Sequence, residues 1–130
     1  MTDHPNAAAT RAAIEAFSKG DVESMAAALA EDAVWHIPGS NRFSGEFRGK
    51  AAVLGRFQQM GAAGLRTSID EIHDVVGNDE HVVALVKISI GPAEATASAN
   101  AVWVMHVADG KMLEFWGLND NQGEIDRVIG

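Results

Sequence analysis

The stretch AEDAVWHIPGSNRFSGEFRGK, residues 30–50, carries more structural signals than any other part of this chain. A Glu-Asp pair at residues 31–32 indicates the end of a helix, and residues 33–37 have the composition of a strand. The Pro-Gly pair at residues 38–39 predicts a turn, and the Arg-Gly pair at residues 48–49 precedes the apolar pattern of another helix. This one segment therefore predicts a helix, a strand, a turn and a second helix in succession.

Three helices are predicted in the first half of the chain. The first ends at Gly20, which supplies a left-handed C-cap, and Asp21 then caps a second helix whose apolar face extends to Leu29. The third begins after Gly49 and ends near residue 61. Its apolar face comprises Val53, Leu54, Phe57 and Met60.

The second half of the chain predicts four strands separated by Gly, Pro, Asn and Asp. They cover residues 67–76, 81–90, 94–107 and 111–118. Because helices and strands are segregated, we expect an α+β fold with a mainly antiparallel sheet. The chain has 130 residues, no repeat and no low-complexity linker, so we expect a single domain over residues 1–130.

The strand predicted over residues 94–107 has two different faces. Its odd positions are Ala95, Ala97, Ala99, Ala101, Trp103, Met105 and Val107. Four alanines leave little side-chain volume, so either a helix packs unusually close to this face or a space remains open beside Trp103. The pattern does not decide between these two arrangements.

The turn after this strand determines which residues lie opposite it. A three-residue loop over residues 108–110 is favoured, because it places Met105 opposite Leu113 and continues to pair apolar with apolar side chains. A two-residue loop would instead place Met105 opposite Glu114. The favoured register leaves Asn119 as a lone polar group at the end of the inward face.

The same register leaves an apolar patch on the outward face of the sheet. The patch comprises Val102, Val104, Trp116 and Leu118. An apolar surface of this kind has to be covered, so we expect a partner subunit there and hence a homodimer.

Composition excludes several classes of function. A formal charge of −8 with no Lys/Arg cluster argues against a nucleic-acid partner. The apolar runs are too short to span a bilayer, and the N-terminus lacks the pattern of a secretory leader.

The absence of cysteine gives no indication of an oxidising compartment, so we expect a cytoplasmic protein. The histidines lack metal-ligand spacing, and neither a metal nor a cofactor is expected.

Four segments together resemble one known family. They are KGD at residues 19–21, AEDAVWHIPG at 30–39, GEFRGKAAV at 45–53 and ADGKMLEFWGLND at 108–120. With the order of elements, they resemble the SnoaL-like branch of the nuclear transport factor two-like superfamily over nearly the whole chain. The resemblance implies a cone, in which a strongly curved sheet wraps around three helices and an apolar pocket opens between them, and usually a homodimer through the outer sheet face.

The catalytic residues of the superfamily do not carry over to this chain. Ketosteroid isomerases place their general-base Asp before the proline of the first strand, where this chain has Ile37. The positions of their oxyanion-hole Tyr and Asp correspond here to Ala13 and Trp103. The Asp-Arg-Asp relay of the epoxide hydrolases has no counterpart either, so the resemblance specifies the fold and leaves the reaction open.

The candidate site combines an apolar wall with two candidate acid/base groups. Asp120 and His36 are the candidate catalytic residues. Each also has a non-catalytic interpretation. Alternation along the strand sends His36 outward if Ile37 points inward. A residue placed like Asp120, at the end of a strand, more often only caps a loop. The predicted pocket residues are Trp35, Ile37, Phe57, Ala101, Trp103, Met105, Phe115 and Asn119.

Three functions fit these observations. The first is a domain that binds a small hydrophobic molecule, cyclic or polyketide-like, and acts on it as a cofactor-independent isomerase, cyclase or hydrolase. The second is a ligand-binding or interaction domain that keeps the cone and has lost the catalytic base. The third is a structural dimer module whose pocket is filled by its own side chains. An ionisable group in the pocket would favour the enzyme.

Overall fold

The computed structural model describes residues 3–130, in which one six-stranded sheet is packed against helices. In chain order the elements are α1 (Pro5–Ser18), α2 (Val22–Ala27), β1 (Leu29–Ile37), β2 (Gly45–Arg48), α3 (Lys50–Ala62), β3 (Leu65–Gly77), β4 (His81–Pro92), β5 (Ala97–Ala108), β6 (Lys111–Asn119) and α4 (Gln122–Ile129). Within the described residues, no helix combines the length and the apolar composition that crossing a bilayer would require.

The sheet has the strand order β2-β1-β6-β5-β4-β3. Neighbouring strands are antiparallel except for β1 and β6, which run parallel. The sheet is curved and unclosed, and β3 contains two irregularities, near Ile69 and Ile72, of the kind that bends a strand. The predicted α+β class with a mainly antiparallel curved sheet is confirmed.

The predicted second helix was too long. It ends at Ala27, and Leu29 is the first residue of β1, where it pairs with Met112 and is 2% exposed. Met25 on α2 and Leu29 on β1 are both buried, so their four-residue spacing matches that of one face of a longer helix. Pairing with β6 therefore overrides the local helical pattern.

Two elements were missed. The sequence predicted no strand over residues 45–48, whereas they form the edge strand β2, which pairs with β1 through Trp35 and Phe47. Residues 122–129 form the fourth helix, α4, in which Ile125 and Ile129 are buried one turn apart. The helices consequently do not all precede the sheet, because β1 and β2 separate α2 from α3 and α4 ends the chain.

The favoured three-residue loop was wrong, and the two-residue alternative holds only next to the turn, where Val107 pairs with Met112. The β5–β6 turn has two central residues, Asp109 at φ 53° and Gly110 at φ 74°, which is the backbone that tight hairpins favour. An irregularity after His106 then shifts the pairing, so Met105 lies opposite Phe115. This is two residues beyond the favoured register, and a shift of two leaves every side chain on its predicted face.

The alanine-rich face of β5 combines the two arrangements that the sequence left open. Helix α4 contacts β4 and β5, so part of this face is covered by a closely packed helix. Ala97 and Ala99 are buried, while Ala101 lines a cavity beside Trp103. Ala95 precedes the strand and is exposed.

Candidate functional site

A cavity of ≈ 140 Å³ lies between the inner face of the sheet and the helices. Its wall is mainly aliphatic and aromatic and is built from helices α1, α3 and α4 together with strands from both halves of the chain. The residues predicted for the pocket all lie in this wall: Trp35, Ile37, Phe57, Ala101, Trp103, Met105, Phe115 and Asn119. Their contact with a ligand stays a prediction.

Three aromatic rings from three elements form the centre of the wall. Parallel pairing of β1 and β6 places Trp35 opposite Phe115, and their rings stack with centroids 4.2 Å apart and planes 18° apart. Phe57 on α3 meets the Trp35 ring edge-on at 5.4 Å and 89°. Such contacts fix ring orientation beyond what burial alone would do. The indole of Trp35 is therefore held on two sides.

The indole nitrogen of Trp35 is a buried donor without an acceptor. Trp35 is 8% exposed, and within residues 3–130 its Nε1 is the fully buried side-chain nitrogen or oxygen that lacks a hydrogen-bond partner. Leaving such a donor unpaired costs about 1–3 kcal/mol, and native proteins rarely tolerate it without a reason. The unpaired N–H is thus a feature that calls for an acceptor.

Arg56 is a buried cation in the same wall. It is 7% exposed, its Nε donates to the Phe43 carbonyl at 3.0 Å, and its guanidinium lies over the rings of Phe47 and Phe57 at 5.5 and 5.6 Å. No carboxylate in the described part of the chain forms an ion pair with it. Burial lowers the pKa of Arg56 to about 10, so the side chain is still charged at neutral pH.

Arg56 was missed by the sequence analysis although its spacing was visible. It lies three residues after Val53 and four residues before Met60, so it shares one face of α3 with these two buried side chains. Arginine is rarely buried, so the default expectation placed it in solvent. The spacing was the available signal, and the residue type concealed it.

The polar end of the cavity wall is formed by three amide side chains. Asn119 Nδ2 donates to Gln122 Oε1 at 2.6 Å, and Asn119 Oδ1 accepts from the Asn121 backbone at 3.0 Å. Gln122 Nε2 and Asn41 Nδ2 both donate to Asp126 Oδ1, at 2.8 and 2.7 Å. These amides are thus engaged with one another and with α4.

Asp126 connects α4 to the loop that follows β1. It accepts hydrogen bonds from the Ser40 backbone and hydroxyl as well as from the two amides. Burial alone would raise the pKa of Asp126, but the hydrogen bonds from Gln122, Asn41 and Ser40 outweigh burial and hold it below the ordinary value. The carboxylate therefore fastens the helix that closes this end of the cavity.

The two candidate catalytic residues lie away from the cavity wall. His36 is on the outer face of the sheet, where Nε2 is 2.6 Å from Glu114 Oε2 and the ring stacks on Trp116. Asp120 is exposed in an outer groove and accepts from the backbone and side chain of Asn100, both at 2.8 Å. These hydrogen bonds, that of the Asn100 side chain first, lower the pKa of Asp120, which does not suit a general base.

The cavity wall has one ionisable side chain within residues 3–130, and it is Arg56. Carboxylates, histidines and lysines are absent from the described wall, and the chain has neither tyrosine nor cysteine. Within the same residues no group of three or more side chains has the arrangement of a metal site. The arrangement can therefore hold an apolar molecule and donate hydrogen bonds to it, and it offers no protein group to accept a proton.

Several solved structures are similar to this chain over nearly its whole length. A protein of unknown function with a cystatin-like fold from Xanthomonas campestris is 24% identical, with a TM-score of 0.85 over 98% of this chain and 99% of that one. An NTF2-like protein from Burkholderia xenovorans LB400 is 23% identical, with a TM-score of 0.81 over 100% and 99% of the two chains. These likenesses show the fold.

A third similar structure is provisionally named a polyketide cyclase and comes from Xanthomonas campestris pv. campestris. It is 23% identical, with a TM-score of 0.77 over 96% of each chain. Among curated proteins, none matches this sequence significantly. The model of the SnoaL-like domain family matches residues 10–115, which is most of the chain. This protein therefore belongs to the SnoaL-like domain family, within the NTF2-like fold.

Proposed function

We propose that this protein binds a compact apolar molecule, about the size of a single ring, in the cavity of the cone. The supporting observation is the size of the cavity, ≈ 140 Å³, together with its aliphatic and aromatic wall. An engineered apolar cavity of about 150 Å³ binds benzene, whereas sites for drug-sized ligands occupy about 300–1,000 Å³. This volume favours a single-ring ligand over a polycyclic one.

Binding without proton transfer is the function that the wall favours. A cyclase or isomerase of the acid/base type needs a group that takes a proton from the substrate. The described wall offers Arg56 as its single ionisable group, and a guanidinium stays protonated in proteins. The cofactor-independent enzyme is therefore the weaker candidate. The open cavity also argues against a structural module filled by its own side chains.

Neutral ring compounds of increasing size test this proposal. We expect toluene to bind saturably and raise the melting temperature, and naphthalene and phenanthrene to bind progressively more weakly. Isothermal titration calorimetry and thermal shift are the measurements. Failure of every neutral ring compound to bind would contradict the proposal.

A cavity-filling variant locates the site. Ala101 is 3% exposed and lines the cavity, so Ala101→Leu is expected to abolish toluene binding, at a cost in stability of about 1–3 kcal/mol from overpacking. Ala52→Leu adds the same atoms on the exposed side of α3 and is expected to leave binding unchanged. Unaltered toluene affinity in Ala101→Leu would place the ligand elsewhere.

A further inference from the structure

We infer that Arg56 and the indole N–H of Trp35 together form a site for a carboxylate, and that the ligand is a single-ring compound that carries one. This inference rests on the proposed function, because it specifies the chemistry of the molecule that the cavity holds. It concerns two donors that the packing of the protein itself leaves unsatisfied.

The first observation is the incomplete pairing of Arg56. A guanidinium has five N–H donors, and within residues 3–130 the bond from Nε to the Phe43 carbonyl is the side-chain hydrogen bond that Arg56 makes. The chain has 18 acidic residues, yet no ion pair in the described residues includes this cation. Buried charges in proteins are normally paired, so this cation is suited to an anionic partner that a ligand supplies.

The second observation is independent of the first. The Nε1 atom of Trp35 is fully buried and unpaired, although the indole ring lies in the cavity wall. Trp35 and Arg56 also contact the same side chain, because the Phe57 ring meets Trp35 edge-on at 5.4 Å and lies under the guanidinium at 5.6 Å. The indole of Trp35 and the guanidinium of Arg56 therefore adjoin one aromatic ring.

The chemistry of the two donors selects a carboxylate on a ring. The flat guanidinium pairs with two carboxylate oxygens at once, and such pairs are strongest where water is excluded. A neutral N–H can add a third hydrogen bond to the same group. The aromatic wall accepts the apolar remainder of the ligand, whereas a small inorganic anion would leave that wall without a partner.

A structural role for Arg56 is the competing explanation. In that case the guanidinium only joins α3 to the Phe43 carbonyl and rests on the rings of Phe47 and Phe57. This explanation predicts that the protein does not distinguish a charged ring compound from a neutral one. It also leaves the unpaired Trp35 nitrogen without an account.

The experiment compares benzoate, benzamide and toluene on the full chain by calorimetry at pH 7. Wild type is expected to bind benzoate most tightly. Arg56→Met is expected to weaken the affinity for benzoate by about 10- to 100-fold, the usual loss for a hydrogen bond to a charged group. The affinity for toluene should change by less than about 3-fold. Arg56→Lys keeps the charge but lacks the flat guanidinium, so its affinity for benzoate is expected to lie between those of wild type and Arg56→Met.

A matched control is available in Arg42. Its Nε also donates to a backbone carbonyl, that of Ile129 at 3.3 Å, and its guanidinium also lies over a ring, that of Phe43 at 5.2 Å. Arg42 is exposed and does not line the cavity. Arg42→Met is therefore expected to leave benzoate affinity unchanged.

Trp35→Phe removes the N–H and retains a ring. We expect it to weaken the affinity for benzoate and for benzamide by about 3- to 10-fold, the usual loss for a neutral hydrogen bond. In NMR spectra it should also remove the indole N–H resonance that shifts when benzoate is added to wild type. Trp116→Phe alters an indole that does not line the cavity and is expected to leave that resonance and its shift in place.

The outcomes separate the two proposals. Binding of toluene with no preference for benzoate, or unchanged benzoate affinity in both Arg56 variants, would overturn the carboxylate site and leave the proposed function standing. Failure of every ring compound to bind would overturn both. Circular dichroism and urea unfolding establish that each variant is folded before its affinity is interpreted.

Discussion

Trp35 and Phe115 stack at 4.2 Å across the parallel pair of strands β1 and β6, which is the one place where the N-terminal and C-terminal parts of the sheet meet. The two rings are 8% and 6% exposed. Because the strands are parallel and in register here, both side chains point to the inner face at the same level. The stack thus joins the two parts of the sheet and also forms the centre of the cavity wall.

Truncation of one partner in this stack is expected to be costly. Phe115→Ala removes a buried aromatic side chain and should lower the free energy of unfolding by about 3–5 kcal/mol. Val76→Ala, at a position on β3 that is 51% exposed, should change it by less than about 0.5 kcal/mol. Urea unfolding followed by fluorescence measures both. A small effect of Phe115→Ala would show that the neighbouring rings fill the space it leaves.

The inner and outer faces of the sheet could be predicted although the strand register could not. Period two placed Met105 inward, and combined with the inward Ile37 that the family resemblance implies it placed Trp35 inward and His36 outward. These orientations agree with the burial and contacts of the three residues. The register depends on a two-residue turn at Asp109 and on an irregularity after His106. An Asp-Gly pair permits turns of either length, so local sequence did not decide between them.

The omissions of the sequence analysis concern residues that depend on tertiary contacts. Helix α4 is short and polar on one side, and it is ordered by its buried Ile125 and Ile129 and by the Asp126 hydrogen bonds. Arg56 is buried because two aromatic faces and a carbonyl receive it. No property of an isolated arginine predicts that environment, so the most informative residue of the site was recognised through the structure.

The backbone at Gly39 requires glycine. Its φ is +100°, and a Cβ there would collide with the side chains of Gln122 and Asp126. Gly39→Ala should therefore lower the free energy of unfolding by about 1–3 kcal/mol and loosen α4. Gly20 has a similar φ of +79° with open space around it, so Gly20→Ala measures backbone strain alone. It should lower the free energy of unfolding by less than Gly39→Ala does. Equal losses in the two variants would show that α4 is not affected.

Acid is expected to release α4 before the rest of the fold. The pKa of Asp126 is lowered from 3.8 in the folded protein, so the stabilisation from its hydrogen bonds is present above that value and is lost as pH falls through the folded-state pKa. Protection of the α4 amides, measured relative to the intrinsic exchange rate at each pH, should therefore fall below about pH 4. In Asp126→Asn, exchange in α4 should be faster at neutral pH and depend less on acid.

Asp120→Asn is the matched control for this acid effect. The pKa of Asp120 is also lowered, through hydrogen bonds from the side chain and backbone of Asn100, but the residue lies in the outer groove. Loss of the Asp120 carboxylate should reduce the dependence of the free energy of unfolding on acid pH. It should not accelerate amide exchange in α4 at neutral pH. If both variants affected α4 equally, the acid effect would belong to the whole fold and not to the Asp126 contacts.

The outer face of the sheet is expected to form the interface of a homodimer. Val104 and Trp116 are paired on β5 and β6 and are only partly buried within one chain, and Leu118 beside them is 60% exposed. A charge on this patch would be buried without a partner, so Val104→Glu and Trp116→Glu should convert the dimer to a monomer. Val22→Glu, at a 55% exposed position on α2, should leave the dimer intact. Sedimentation velocity over a range of concentrations measures the state, and a wild-type protein that remains monomeric throughout would show that the patch has another partner or none.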